Sequence, residues 1–271
     1  MTFPKITPLT NGERVALRSA LSEASLLEPQ WFGPSTWVQH APFMGYLVET
    51  LKPRIAVELG SHFGYSFFVM CQVVKAYDLR TQCFAVDTWE GDEHAGFYSS
   101  NVYEHVSRHC RDYYADFAHL LRMRFDKAVA SFDDHSIDLL HIDGRHFYDD
   151  VKEDYLTWVP KLSSRSIVLF HDTQVRERGF GVHQLWAELS SQYPSFQFLH
   201  GHGLGVLAVG QDLSPELNGL FEASSQPHVE NAIRYTYATL GERLEGPARR
   251  ERKRIKGTRL QRLRRKLSRF F

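Results

Sequence analysis

Cysteine is scarce: the 271-residue chain has three, Cys71, Cys83 and Cys110. Their number is odd and their spacing fits no metal site, so they read as buried thiols in a reducing compartment. Long apolar runs are also missing. Without about 18 consecutive apolar residues no membrane-spanning helix is expected. The stretch Met1-Thr2-Phe3-Pro4-Lys5 lacks the charged-then-apolar pattern of a secretory signal. Together these absences predict a cytoplasmic protein. Net charge is absent too, with 32 basic and 32 acidic residues, but the balance is uneven. Residues 247–271 hold 12 Lys/Arg and one Glu, and the other 246 residues hold 20 basic and 31 acidic. An acidic body argues against a nucleic-acid groove across it.

What is present suits one α/β domain with extensions. Apolar residues make up 43% and aromatics 13%, enough for a substantial core. The most informative stretch is 55–66, Ile-Ala-Val-Glu-Leu-Gly-Ser-His-Phe-Gly-Tyr-Ser. Ile55 to Leu59 reads as a buried parallel strand. Gly60 and Gly64 bracket a tight turn, and an apolar helix follows. Glycines let a ligand approach the backbone, and a helix start offers unpaired N–H groups. The pattern E-x-G-x-x-x-G lacks the middle glycine of the dinucleotide fingerprint G-x-G-x-x-G. It suits a ligand with an amino group and a carboxylate. A nicotinamide-dependent oxidoreductase is the rival that the missing glycine counts against.

The next strand, Phe84 to Asp87, ends in an acid one βαβ step after Glu58. A carboxylate there can accept both hydroxyls of a ribose, though an Asp at a strand end also serves as a turn or helix cap. The loop from Thr88 to Tyr98 contains Trp89, Asp92 and His94, candidates for stacking, substrate binding or proton transfer. Ile137 to Ile142 is a strand with Asp143 at its end, Gly144 for a turn, and His146 beyond. Ser166 to Phe170 is the next strand, closed by His171-Asp172-Thr173. Successive strands of a right-handed βαβ unit are expected to be neighbours, so Asp143 and Asp172 should face one crevice. Two acids so placed repel unless neutralised. A hard cation such as Mg²⁺ does this with oxygen ligands at about 2.1 Å, and Thr173 can add a hydroxyl. The alternative is that Asp143 caps the following helix and a turn holds Asp172. His146 and His171 are the two candidate bases. Arg176, Arg178 and His183 follow in a loop at the same end of the sheet, within reach of an anionic or sugar-phosphate substrate.

Glu58 to Ser66 resembles motif I of the class I S-adenosylmethionine-dependent methyltransferases, in the catechol O-methyltransferase-type branch. Asp-Thr-Trp-x-Gly-Asp-x-His-Ala-Gly, from Asp87, is similar to a stretch of bacterial methyltransferases of sugar and cell-surface glycan pathways. The resemblance covers roughly residues 40–210. It implies a Rossmann-like, mostly parallel seven-stranded sheet with the last strand reversed and helices on both faces. It implies S-adenosylmethionine against Glu58, Gly60, Ser61, Gly64, Ser66, Asp87, Thr88, Trp89, Phe125, Asp126 and Asp143. It gives Asp143, Asp172 and Thr173 as metal ligands, the last where Asn or Asp is more usual. It puts His146 where the catechol enzymes have a lysine base. The implied activity is a divalent-metal-assisted O-methyltransferase acting on a sugar, glycan-linked or other small metabolite. A non-catalytic protein keeping the fold is the other alternative.

The expected organisation is a helical cap over 1–50, the cofactor-binding domain over 51–212, a helical extension over 213–246 and a basic amphipathic tail over 247–271. Leu260, Leu263, Leu267, Phe270 and Phe271 fall on one face of that tail among Arg and Lys. This composition suits contact with an anionic surface at the inner face of the membrane; the alternatives are a helix docking on the acidic body and a disordered, solvated tail.

Overall fold

The computed structural model describes residues 10–92, 96–97 and 101–267. Its order is α1 (Asn11–Ser19), α2 (Ala41–Leu51), β1 (Ile55–Leu59), α3 (Tyr65–Ala76), β2 (Gln82–Asp87), β3 (Gly91–Asp92), β4 (Gly96–Phe97), α4 (Asn101–Tyr114), β5 (Ala118–Arg122), α5 (Phe125–Ala128), β6 (Ile137–Ile142), α6 (Tyr148–Trp158), β7 (Leu162–His171), α7 (Val182–Ser190), β8 (Ser195–Phe198), β9 (Leu204–Ala208), α8 (Pro215–Ala223) and α9 (Pro227–Leu267). Part of the 88–98 segment, expected as a loop, thus pairs as the short β3–β4 hairpin.

Seven strands form one sheet in the order β5-β2-β1-β6-β7-β9-β8. β5, β2, β1, β6 and β7 are mutually parallel. β9 runs antiparallel to both β7 and β8, so the reversed last strand sits one place in from the edge. β1 leads outward through β2 to β5, and β6 leads the other way to β7. Strand order therefore reverses between β1 and β6, and the crevice beyond their C-terminal ends is where such sheets hold ligands.

Strand alternation divides the core in two. Ala56, Ala85, Leu139 and Ile167 join one cluster with α2, α3, α4, α8 and α9. Val57, Val86, Leu140 and Val168 join another with α5, α6 and α7. Helix boundaries follow local chemistry. Asp149 and Asp150 sit in the first turn of α6, where the helix dipole favours acids. Pro160 lies just beyond its end, and the Ser214 hydroxyl caps α8 ahead of Pro215. Near the start of β6, Asp138 is buried and accepts the Arg54 guanidinium, the Arg54 amide and the Ser163 hydroxyl. Among the described residues no helix is long and apolar enough to cross a membrane.

Gly60 fixes the junction of β1 and β6. Its N–H donates to Val86 O at 2.9 Å, its φ is +87°, and a Cβ there would collide with the Asp143 carbonyl. Gly60→Ala is expected to cost about 2–4 kcal/mol, because strain at a left-handed φ and a backbone clash coincide. Thermal or denaturant unfolding checks it; a loss below about 1 kcal/mol would mean that the two strand ends part easily.

Candidate active site

A cavity of about 900 Å³ opens at the strand reversal. Its wall includes Gly60, Ser61, His62 and Ser66 from the glycine turn and α3, Asp87 and Thr88 after β2, and Phe125 and Asp126 on α5. Asp143, Gly144, Arg145 and His146 after β6, and Asp172 and Arg178 after β7, complete that side. Pro34, Ser35 and Thr36 of the N-terminal segment and Arg252 of α9 close another.

Gly64, at φ +75°, is the N-cap of α3, with no side-chain cap and no acid in the first turn. The helix therefore aims unpaired N–H groups and a positive dipole end at the cavity. Asp87 is pinned beside it. Ser61 and His62 N–H donate to its Oδ2 and Trp89 N–H to its Oδ1. Burial raises the Asp87 pKa, and these three amides offset part of the rise. Oδ1, with a single donor, keeps a lone pair for a further one.

Two acids meet at the ends of β6 and β7, with histidines between them. His146 Nε2 lies 3.0 Å from Asp172 Oδ2 and 3.6 Å from Asp143 Oδ1. His171 Nδ1 lies 3.2 Å from Asp143 Oδ1 and 3.3 Å from Asp172 Oδ2. The other His171 nitrogen bonds to the Gly201 carbonyl at 3.1 Å. With a carbonyl on one side and carboxylates on the other, both nitrogens of His171 are placed to donate, which an imidazolium does. Burial opposes that charge, but Asp143 and Asp172 raise the His171 pKa well above the ordinary value. Burial likewise pushes both acids up, and the charge of His171 with hydrogen bonds from both histidines holds them well below the carboxylate range. Burial pulls His146 down, but its bonds to Asp143 and Asp172 win and push it up to about 9.

The surrounding loops hold this group in place. Asp172 has φ +61°, a strained value for a non-glycine residue. His202 bonds to it at 3.3 Å and accepts the Gln174 amide at its own carbonyl, so the 201–203 turn braces the strand end. Phe180 stacks on His146 at 4.4 Å and 11°, and Gly181 N–H donates to the His146 carbonyl.

Several residues expected at the site lie elsewhere. Glu58 is fully buried, accepting Ser61 Oγ at 2.7 Å and pairing with His141 Nδ1 at 2.9 Å, so it supports the glycine turn from beneath. Trp89 is buried with its ring N–H on His62 O. Thr173 is fully buried, and its hydroxyl accepts from Gln197 instead of meeting the acids. The third donor beside the carboxylates is His146, whose ligand atom lies within 4.8 Å of theirs. Arg176 donates to the Thr173 and Val175 carbonyls, and neither it nor His183 borders the cavity. Asp92 supplies backbone to β3; its side chain and His94 lie outside the described residues. Residues not anticipated are Asp154 on α6, Phe180, His202, Arg252 and the Pro34–Thr36 wall. Asp154 is pushed up to about 7 by burial and by Asp150 and Glu153 beside it.

With this geometry in view, the relatives take on meaning. The family model described as "Methyltransferase domain" matches residues 57–173. That stretch of the chain is similar to a methyltransferase domain. The match runs from β1 to the residue after Asp172, spanning the glycine turn, Asp87 and both acids. The chain is 54% identical over 198 residues to the uncharacterized protein y4gI of Sinorhizobium fredii, covering 73% of this chain and 22% of that one. It thus spans about a fifth of the length of that curated relative. The S-adenosylhomocysteine-bound methyltransferase PaMTH1 of Podospora anserina superposes with a TM-score of 0.51 at 13% identity, over 76% of this chain and 99% of that one. The O-methyltransferase TomG of Streptomyces achromogenes, solved with S-adenosylmethionine, gives 0.45 at 16% identity, over 76% and 91%. The PaMTH1 likeness shows a shared methyltransferase fold.

The raised pKa of His146 makes a pH prediction for the metal-free protein. Folding favours its protonated form, so its contribution to stability is full below the unfolded value of about 6.5 and is lost as pH rises through about 9. The melting-temperature gap between wild type and His146→Gln is therefore expected to narrow between pH 6.5 and 9.5. A gap that stays constant over that range would contradict the pairing.

Proposed function

We propose that the chain is an S-adenosylmethionine-dependent O-methyltransferase acting on a hydroxyl of a sugar, glycan-linked or related small metabolite. The observation that carries the reading is one cavity joining Asp87, the uncapped start of α3 and a histidine held between two carboxylates. The residues fit the cofactor by charge. Asp87 suits the ribose hydroxyls, the α3 start and Ser66 suit a carboxylate, and Phe125 with Asp126 borders the remaining wall, where the adenine would lie. When bound, the cofactor supplies a methyl group activated by its sulfonium.

The chain's own residues then orient the acceptor and handle its proton. His146 in its neutral form accepts the hydroxyl proton at Nε2, and Asp172 at 3.0 Å stabilises the imidazolium that forms. Phe180 fixes the ring plane and shields one face from water. His171 has both nitrogens engaged and is buried, so it serves to hold the two acids and not as the base. Asp143, Asp172 and His146 Nε2 could instead hold a divalent cation, and with that nitrogen ligated His146 would not be the base. Two carboxylates and an imidazole suit Mn²⁺ or Zn²⁺ at least as well as Mg²⁺. Such an ion would lower the pKa of an acceptor hydroxyl. The sugar-linked acceptor is supported by the likeness of the segment after Asp87 to glycan-pathway enzymes.

Three measurements test this. Asp87→Asn is expected to weaken S-adenosylhomocysteine binding about tenfold or more in calorimetry while the fold persists; unchanged affinity would refute the ribose role. His146→Gln should lower turnover on hydroxylated acceptors by about 10²–10⁴-fold and spare cofactor binding. EDTA treatment with Mn²⁺ or Mg²⁺ add-back separates a metal-assisted enzyme from one relying on His146 alone, since only the former loses and regains activity.

A further inference from the structure

Resting on the cofactor reading above, we propose that Arg252, on the C-terminal helix and far outside residues 57–173, binds the α-carboxylate of the methionine moiety of S-adenosylmethionine. The C-terminal helix would then form part of the cofactor site.

Arg252 lies in the cavity wall with Ser35, Thr36, Tyr65 and Ser66. One of its Nη atoms donates to the Ser35 carbonyl. Its Nε is buried without a partner, and no carboxylate among the described residues pairs with it. A guanidinium has five donors and a fixed charge, so a half-buried one with an idle N–H is poised for an oxyanion. Other cavity arginines are engaged differently: Arg124 pairs with Asp126 at 3.0 Å and Arg145 with Asp150 at 3.4 Å.

The position of Arg252 matches the cofactor's single anionic group. It lies beside the start of α3, where unpaired amides also favour a negative charge. The far wall, built on the opposite face of the sheet, carries Asp126, Asp150, Glu153 and Asp154 and would repel a carboxylate. The helix is firmly seated where the arginine leaves it. Ala248, one turn earlier on the same face, is buried, as is Leu244. Gly241 packs so tightly on the Gln39 backbone that no Cβ fits. The arginine is therefore presented from a fixed base to the segment that also forms the wall.

Calorimetry on the full chain with two probes tests the assignment. S-Adenosylhomocysteine carries the carboxylate, and 5′-methylthioadenosine keeps the adenosine and sulfur but lacks the amino acid. Arg252→Gln is expected to weaken the first at least tenfold and leave the second within twofold. Arg252→Lys, which keeps the charge without the fork, should weaken the first about threefold or more and spare the second. This holds the test open if the glutamine variant folds poorly. Arg249→Gln, an exposed site, should change neither. An S-adenosylhomocysteine affinity within twofold of wild type in the Arg252 variants would overturn the proposal, as would equal weakening of both probes. Wild-type protein that binds neither probe would instead remove the cofactor reading itself.

Discussion

Two carboxylates placed side by side in a half-dry cleft repel, and the architecture around Asp143 and Asp172 is arranged to contain that repulsion. At this separation and with water partly excluded, their interaction would amount to several kcal/mol. His171, buried with its other nitrogen on the Gly201 carbonyl, supplies a positive charge between them. His146 supplies a second contact from the open side. The first histidine is locked in the wall and the second borders the cavity, so the same charge pattern holds one imidazole fixed and leaves the other within reach of a ligand.

The fold brings these groups together through strand order. Parallel β1, β6 and β7 end at one level, and the reversal between β1 and β6 leaves a crevice there. Gly60 lets the backbone of the glycine turn meet the Asp143 carbonyl, so the glycine turn and the turn after β6 share one tight junction. The strained φ of Asp172 is tolerated because the 201–203 turn ties it down from behind. Strain of this kind at a strand end is common where side-chain aim matters more than backbone comfort. The N-terminal segment and α9 close the remaining side.

Much of this was legible in the residues. Short β-branched runs ending in acids marked β1, β2, β6 and β7, and the rule for βαβ neighbours placed Asp143 beside Asp172. The roles of Glu58 and Thr173 were not legible, because period-two alternation says which face a side chain takes and not what it meets there. Glu58 faces His141 of the adjacent strand, a partner 83 residues away. Thr173 is buried with its hydroxyl held by Gln197 of β8. Arg252 lies in a run of basic residues with no local mark separating it from its neighbours, and only the docking of α9 selects it. α9 itself continues from Pro227 to Leu267 through Pro247, where sequence alone suggested a change of character. Contacts of its first half with the Trp37–His40 turn supply what propensity withholds.

The most direct test of the account is a crystal structure of the protein soaked with S-adenosylhomocysteine and Mn²⁺, read in the anomalous map. The account predicts the ligand in the cavity with its ribose on Asp87 and its sulfur facing His146, and any manganese peak between Asp143 and Asp172. A cavity that stays empty at saturating ligand, or a ligand bound away from Asp87 and His146, would contradict it.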